Sequence, residues 1–242
     1  TLIYNNKLKC GSEQVAQNSL KIPHPEVLNS FIGEDVSPDL QWIHKIFDEK
    51  NNVLFLDYDA VPAVEENVGE MVINTKEALL IQQIVNALVH GGVKEDEIGV
   101  MSFYRAQLSV LKKNLNNLKD LEILTADQYQ GRDKECIIIS LVRSNERKFA
   151  GDLMKEYRRL NVATTRAKTK LIILGSRFTL STNELTKTFI DYLENEKWYY
   201  PLPKSAHKIY KIPEVNGPSP TRSQKSQDSP ILNRNPILKN VV

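Results

Sequence analysis

The sequence has too little of several features that define whole protein classes. It contains two cysteines, Cys10 and Cys136, which are too few for a disulfide framework and are typical of a reducing compartment. It contains no run of about 18 apolar residues, so we predict no membrane span. Its formal net charge is only +2, a balance that neither requires nor excludes a polyanionic partner.

The sequence also lacks the motifs that by themselves indicate a nucleotide or metal site. None of the 10 glycines begins G-x-x-x-x-G-K-[ST], and no G-x-G-x-x-G follows an apolar run, so we predict neither a phosphate loop nor a dinucleotide-binding Rossmann domain. Asp57 closes an apolar run, but no second carboxylate follows in a fitting context. We therefore predict a capped strand end there and no metal site. The chain begins with Thr1 and has no signal-peptide pattern, so we expect a piece of a longer polypeptide.

Apolar runs and amphipathic segments alternate along the chain. The predicted strands are residues 53–56, 98–101, 121–124, 136–142 and 171–174, and the predicted helices are residues 40–47, 74–89, 104–118 and 184–196. Asn74 and Asn183 stand where they can cap two of these helices. The alternation predicts an α/β fold with a mostly parallel sheet and helices on both faces.

Residues 125–175 form the most informative stretch of the sequence. They combine a polar loop, a buried strand, a cationic helix and a second buried strand. One stripe of the helix is predicted to consist of Leu153, Tyr157, Leu160, Thr164 and Ala167. Arg159 and Arg166 are seven positions apart and are predicted to share another face of the helix. That face is either a pair of guanidinium groups directed at an anion or a solvated basic surface.

The segment QGRDKECIIISLVRS, followed by RRLNVATTRAK, resembles motifs V and VI of superfamily 1 helicases, in the branch that includes the nonsense-decay helicase. Within that branch the chain is most similar to the eukaryotic DNA replication ATP-dependent helicase/nuclease family, which has similar YR-Q, D-YQGRDK and VRSN segments. The resemblance covers roughly residues 1–202. It implies a RecA-like second motor lobe of the P-loop NTPase type.

The resemblance also implies a division of the chain. Residues 1–19 would be the end of the linker between two motor lobes, and residues 20–202 would be the RecA-like C-terminal lobe. The resemblance leaves out residues 203–242, which are predicted to be a disordered tail. From Pro213 onward the composition shifts to Pro, Ser, Asn and Gln, which supports that prediction.

Three arginines are the catalytic candidates that the resemblance implies. Arg166 would reach the terminal phosphate of ATP, where charge develops in the transition state. Arg159 would support that site or contact phosphate, and Arg105 would lie near the same phosphate. For each of these residues, the alternative is a surface salt bridge.

Two further sets of polar residues follow from the same resemblance. The nucleotide-binding set is Gln107, Gln130, Gly131 and Asp133, in which Gly131 permits close backbone approach and Asp133 accepts hydrogen bonds from a ribose hydroxyl. The DNA-binding set is Thr125, Gln128, Arg143 and Ser144. The family often has Glu where this chain has Asp133.

The implied ligands and partners belong to a larger protein. ATP and magnesium would be shared with an N-terminal motor lobe, and a nuclease domain with an iron–sulfur cluster would lie further upstream. The implied partners are single-stranded or flapped DNA, these upstream domains and a single-strand-binding protein, with no membrane. We expect a nuclear location, extending to the mitochondrion, and we expect this chain alone to be inactive as an ATPase.

Two alternative functions stay open at the level of sequence. One is the same lobe in a related superfamily 1 RNA helicase. The other is a non-catalytic docking module on the same fold, which would have no physical need for arginines directed at phosphate.

Overall fold

A six-stranded sheet organises the chain, in a computed structural model that describes residues 18–33, 36–151 and 157–215. The strands are β1 (Val53–Asp57), β2 (Glu66–Val68), β3 (Met71–Ile73), β4 (Ile98–Ser102), β5 (Glu122–Thr125), β6 (Lys134–Ser140), β7 (Ala167–Gly175) and β8 (Tyr199–Pro201). The sheet order is β5-β4-β6-β7-β1-β8, and its described pairings are all parallel. Strands β2 and β3 form a separate antiparallel hairpin.

Helices connect the strands of the sheet. They are α1 (Ile43–Phe47), α2 (Thr75–His90), α3 (Arg105–Asn114), α4 (Tyr157–Thr164), α5 (Arg177–Leu180), α6 (Glu184–Asn195) and α7 (Ala206–Ile209). Short 3₁₀ helices lie at Pro25–Phe31, Pro38–Leu40, Glu95–Glu97 and Asp127–Tyr129. No helix in the described part of the chain has both the length and the apolar character needed to cross a membrane.

Both faces of the sheet are covered, because successive side chains of each strand enter different apolar clusters. In β1, Leu56 packs in the cluster that contains α2 and α3, whereas Phe55 packs in the cluster that contains α4 and α6. In β6, Ile138 and Ile139 divide in the same way. This two-sided burial explains the unbroken apolar runs of the sequence. The prediction of a RecA-like α/β lobe with a parallel sheet is therefore confirmed.

The predicted helix caps are present. The Asn74 side chain accepts a hydrogen bond from the Glu77 backbone N–H at 2.9 Å. The Asn183 side chain accepts hydrogen bonds from the backbone N–H groups of Leu185 and Thr186. Each asparagine satisfies an N–H that has no acceptor within its own helix, so α2 and α6 begin where the sequence places them.

Several predicted boundaries are wrong, and strand β7 begins at Ala167 rather than residue 171. Helix α3 ends at Asn114 rather than residue 118, within an Asn-rich segment whose side chains favour non-helical backbone. Strand β6 ends at Ser140 rather than residue 142, because Val142 has a φ of 68° and cannot continue a strand. Leu115 and Leu118 nevertheless remain buried, as their apolar character predicts.

The ordered fold continues beyond residue 202. The predicted tail begins at residue 203, but Tyr210 is buried and its hydroxyl accepts a hydrogen bond from the Ile43 backbone N–H at 3.1 Å. The Trp42 indole N–H donates to the Ala206 carbonyl at 3.1 Å. The predicted boundary is thus too early, because α7 completes the core around α1. The rest of the predicted tail, and residues 1–17 of the predicted linker, lie outside the described residues.

A buried carboxyl group joins three elements at the carboxyl edge of the sheet. Glu77, in the first turn of α2, is fully buried. Its Oε2 atom accepts hydrogen bonds from the Tyr58 hydroxyl and the Val142 backbone N–H, both at 2.9 Å. Burial raises the pKa of Glu77 to about 8, because the charged form is poorly solvated there.

This pKa shift predicts how stability depends on pH. A carboxyl group with a raised pKa in the folded state stabilises the fold fully below its unfolded pKa, and that contribution is lost as pH rises through about 8. We expect the free energy of unfolding to fall by roughly a few kcal/mol between pH 4.5 and pH 8. Urea unfolding across that range, comparing the wild type with Glu77→Gln, measures the effect.

The matched control is Glu184→Gln, which removes an exposed carboxylate from the first turn of α6. We expect Glu77→Gln to flatten the pH profile and Glu184→Gln to leave it unchanged. A profile that keeps its full slope in Glu77→Gln would assign the pH dependence to another group.

Candidate functional site

A cleft of about 1100 Å³ opens at the carboxyl edge of the sheet. Its walls come from the segments that follow β4, β5 and β6, together with the β2–β3 hairpin and α4. Ligands of open α/β sheets bind at this edge, because the loops that follow parallel strands converge there. Among the predicted site residues, those that line the cleft are Arg105, Thr125, Gln128, Arg143 and Arg159.

One wall of the cleft is a polar face of α3. Arg105, Ser109 and Lys112 are spaced by four and three positions, so they stand in one row on the helix, and all three line the cleft. Their side chains are exposed. No salt bridge joins Arg105 or Lys112 to another described residue. The row therefore presents two positive charges to the cleft.

Thr125 and Gln128 shape the turn that follows β5. The Gln128 Oε1 atom accepts from the Thr125 backbone N–H at 3.1 Å and from the Thr125 hydroxyl at 3.2 Å. The Gln128 backbone N–H donates to the Thr125 hydroxyl at 3.3 Å. These reciprocal bonds hold the two side chains together at the cleft that both residues line. Their predicted contact with a DNA backbone stays a prediction.

Arg159 approaches the same turn from α4. Its Nε atom lies 3.2 Å from Asp127 Oδ1, and the arginine side chain is 27% exposed. Because Asp127 belongs to the 3₁₀ helix Asp127–Tyr129, the ion pair fixes α4 against the segment that connects β5 to β6. A carboxylate thus orients the guanidinium that the sequence predicts.

Arg143 is held by Glu65, a residue that no sequence motif marks. The Arg143 Nε and Nη2 atoms both donate to the Glu65 carboxylate at 2.9 Å, and the two side chains are 9% and 7% exposed. Glu65 also accepts from the Ser144 backbone N–H and the Asn145 side chain, each at 2.9 Å. One carboxylate therefore binds the last three residues of the VRSN segment. No pattern in the sequence around Glu65 marks it, because it lies in an irregular loop after β1.

The position of Gln107 contradicts its predicted role as a nucleotide contact. The residue is fully buried. Its Oε1 accepts from the Asn74 backbone N–H at 2.8 Å, and its Nε2 donates to the Asn74 carbonyl at 3.1 Å and to the Ser140 hydroxyl at 3.2 Å. All of its polar atoms are used within the chain, so Gln107 joins α3 to α2 and β6.

The QGRD loop is exposed and open. Gly131 has a φ of 79°, a conformation that glycine adopts at no steric cost, and no atom lies within 4 Å of the place a Cβ would occupy. Gln130 and Asp133 on either side are exposed as well. An open turn with an exposed carboxylate fits the predicted approach of a nucleotide to this backbone.

Arg166 lies beyond α4 rather than on it. The helix ends at Thr164 and Ala167 already belongs to β7, so the predicted stripe and the shared face of Arg159 and Arg166 are wrong at this end. The Thr165 hydroxyl donates to the Asn161 carbonyl at 2.8 Å, which helps to close the helix. Leu153 of the predicted stripe lies outside the described residues.

The Arg166 guanidinium is fixed by three contacts. Nη1 donates to Asp133 Oδ1 at 2.9 Å, Nε donates to the Val162 carbonyl at 3.2 Å, and Nη2 donates to the Thr165 hydroxyl at 3.1 Å. The cation thereby sits at the negative end of the α4 dipole and beside the QGRD loop. The structure thus brings together Arg166 and Asp133.

Arg105 and Arg166 stand at opposite edges of the sheet. Arg105 follows the carboxyl end of β4, whereas Arg166 precedes the amino end of β7, where the Lys134 backbone N–H donates to its carbonyl. The seven residues of β6 between these edges span about 20 Å. This separation contradicts the prediction that both arginines approach one phosphate.

Asp57 is engaged at the end of β1. Its carboxylate accepts from the Tyr199 hydroxyl at 2.5 Å and from the backbone N–H groups of Asp59 and Arg177. Burial raises the pKa of Asp57 to about 6. The predicted capped strand end is confirmed, and the described residues contain no group of three or more His, Cys, Asp or Glu side chains placed to hold a metal ion.

The buried Glu65–Arg143 pair yields a stability prediction. Replacing Glu65 with Leu leaves an unpaired guanidinium in the cleft wall, and we expect a loss of about 3 kcal/mol in the free energy of unfolding. Adding Arg143→Leu should restore most of that loss, since the uncompensated charge is then removed. Denaturant titration of both single variants and the double variant measures the coupling, and additive losses would show that the two residues do not interact.

Comparisons with known proteins place the chain in a family. Residues 1–178 match the family described as AAA domain. The chain is 47% identical over 216 residues to the DNA replication ATP-dependent helicase/nuclease DNA2 of Saccharomyces cerevisiae, covering 88% of this chain and 14% of the relative. The human protein of that name is 38% identical over 210 residues, covering 86% of this chain and 20% of the relative.

A plant relative extends the similarity. The DNA replication ATP-dependent helicase/nuclease JHS1 of Arabidopsis thaliana is 40% identical over 182 residues, covering 74% of this chain and 13% of the relative. The chain thus spans between 13% and 20% of the lengths of these relatives. The chain belongs to the AAA domain family, and along most of its length it is similar to eukaryotic DNA replication helicase/nucleases.

Proposed function

We propose that this chain is the second motor lobe of an ATP-dependent DNA helicase/nuclease that acts in DNA replication and repair. The observation that carries the proposal is the arrangement at the amino edge of β6 and β7, where Arg166 is fixed beside Asp133 and the open turn at Gly131. The similarity to named helicase/nucleases over most of the chain supports it.

At this edge the chain offers two complementary groups to ATP. The exposed carboxylate of Asp133 accepts hydrogen bonds from ribose hydroxyls, and the planar guanidinium of Arg166 pairs with phosphate oxygens. Developing charge on the terminal phosphate is stabilised best by a cation that is already oriented, and the contacts of Arg166 to Val162 and Thr165 provide that orientation. The phosphate loop and the magnesium carboxylate come from the upstream lobe, and magnesium would neutralise phosphate charge there.

Arg159 has a positioning role in this proposal. Its ion pair with Asp127 holds α4 against the segment that leads from Thr125 to the QGRD loop. The same segment lines the carboxyl-edge cleft at Thr125 and Gln128. A shift of α4 would therefore move the nucleotide-facing loop and the cleft together, which is a physical route for coupling hydrolysis to movement along DNA.

The carboxyl-edge cleft is the proposed track for single-stranded DNA. Arg105, Thr125 and Gln128 supply a cation, a hydroxyl and an amide, which contact a sugar–phosphate backbone without reading its sequence. Arg143 is neutralised by Glu65, so its part is to hold the wall of the track, and Ser144 is bound through its backbone to the same carboxylate.

The remaining parts of the proposal concern the whole protein. The nuclease domain and an iron–sulfur cluster belong upstream of this chain, and a single-strand-binding protein and flapped DNA are the proposed partners. The proposed location is the nucleus, with a share in the mitochondrion. The family resemblance supports these assignments.

The first test changes the terminal-phosphate arginine. In the parent protein, Arg166→Ala should lower DNA-stimulated ATP hydrolysis by about 10³-fold or more, because the transition-state charge loses its guanidinium. Binding of ATP should weaken far less. Steady-state ATPase rates and equilibrium binding of a fluorescent ATP analogue separate the two effects.

The control for this test is Lys187→Ala, which removes an exposed cation from α6 without touching either edge site. It should leave the hydrolysis rate unchanged. The isolated chain should not hydrolyse ATP at all. Hydrolysis by the isolated chain that disappears in Arg166→Ala would overturn the assignment of the phosphate loop to an upstream lobe.

A second test separates a DNA motor from an RNA motor. We expect oligo(dT) to stimulate ATP hydrolysis by the parent protein at least ten-fold more than oligo(U) of the same length. Equal or greater stimulation by oligo(U) would favour the RNA helicase, and no stimulation by either would favour a docking module.

A further inference from the structure

Phe149 is an aromatic residue that stays about half exposed although it lines a cleft. Its side chain is 49% exposed, and the cleft is the one at the carboxyl edge of the sheet. Large aromatic side chains usually bury their rings, since this contributes strongly to stability. Phe178 is equally exposed at 50% and has the Lys148 ammonium 4.1 Å from its ring centroid, but it lies outside the cleft lining.

The backbone that carries Phe149 is fixed. The Asn145 Oδ1 atom accepts from the Phe149 backbone N–H at 2.9 Å, and Asn145 Nδ2 donates to the Phe149 carbonyl at 3.0 Å. Asn145 is itself tied to the Glu65 carboxylate and to the Thr179 hydroxyl. The ring is therefore presented by a preorganised loop, which lowers the entropic cost of binding a ligand on it.

The Arg143 guanidinium supports the ring from the protein side. Its Cζ atom lies 5.0 Å from the Phe149 ring centroid and 6.0 Å from the Tyr104 ring centroid. Because Glu65 pairs with this arginine, the cation adds no unpaired charge to the cleft wall. The exposed part of the Phe149 ring is the part left for a ligand.

Positive charge lines the same cleft along α3. Arg105 and Lys112 are seven residues apart, and their row on the helix is about 10 Å long. Ser109 lies between them and adds a hydroxyl. The cleft also contains the carboxylates of Glu70 and Asp127, but a ligand that contacts both the Phe149 ring and the α3 row would combine a flat apolar surface with negative charge. A single-stranded nucleic acid has both, whereas an acidic peptide has no repeating flat surface.

We propose that Phe149 is a stacking platform for one base of a single-stranded nucleic acid whose backbone follows the row Arg105, Ser109 and Lys112. This inference deepens the proposed DNA track and rests on it. Base–aromatic stacking tolerates any sequence, because every base has a flat face. The platform thus suits a motor that moves along DNA regardless of sequence.

The test measures stacking and phosphate contact separately in the parent protein. Binding of oligo(dT) to the wild type, Phe149→Ala, Phe149→Trp and Lys112→Ala is followed by fluorescence anisotropy over a series of salt concentrations. Phe149→Ala should weaken binding about 5- to 100-fold while the salt dependence stays the same, because no phosphate contact is lost. Lys112→Ala should lower the slope of log K against log salt by about 0.7.

A scan with one abasic nucleotide moved along the oligonucleotide locates the platform. One position should weaken binding to the wild type and to Phe149→Trp, but not weaken binding to Phe149→Ala any further. The matched control Phe178→Ala should bind as the wild type does, since it removes an equally exposed ring outside the cleft. A loss of the abasic effect in Phe149→Ala alone supports the inference.

Two outcomes would overturn the inference in different ways. If the wild type binds oligo(dT) and Phe149→Ala binds equally well, the platform is absent and the proposed DNA track stands. If the wild type does not bind single-stranded nucleic acid, both the track and the platform are overturned.

Discussion

Three side chains with no exposure to water, Asn74, Glu77 and Gln107, fix how two helices sit on the sheet. The Asn74 side chain caps α2. The Asn74 backbone N–H donates to Gln107 Oε1, and the Asn74 carbonyl accepts from Gln107 Nε2, which joins α2 to α3. Glu77 binds the backbone of Val142, where the chain leaves β6. Buried polar groups are costly unless they are paired, so any displacement of α3 would leave several of them unsatisfied. The orientation of the whole carboxyl-edge cleft depends on this network.

The fold could be predicted from the sequence because its signals are local. Apolar runs such as residues 136–140 mark strands covered on both faces, and Asn74 and Asn183 mark helix starts through contacts within one turn. The end of β6 could not be predicted, because Val142 is turned out of the strand by a hydrogen bond to Glu77, 65 residues away in sequence. The order around Tyr210 could not be predicted either, because its burial depends on contacts with α1, which is distant in sequence.

The candidate site was predictable only in part, because a sequence motif does not show which residues each side chain contacts in the fold. The sequence motifs identify both Arg166 and Asp133 as site residues, and the two side chains form an ion pair in the structure. Gln107 was chosen from the same kind of match, yet its amide is used entirely within the core. Glu65 could not be found, since nothing in its loop sequence indicates a carboxylate that binds a distant arginine. The sequence states the type of each residue. Which of its hydrogen-bonding groups remain available to a ligand depends on its neighbours in the folded chain.

The pairing of Arg166 with Asp133 has a consequence for selectivity in the proposed nucleotide site. A small anion such as inorganic phosphate can contact only the guanidinium of the pair, and water hydrates the half-exposed Asp133 carboxylate. A nucleoside triphosphate brings hydroxyl groups as replacement donors for the displaced acid. The pair would therefore favour the complete nucleotide over a bare anion, because only the nucleotide contacts both of its members.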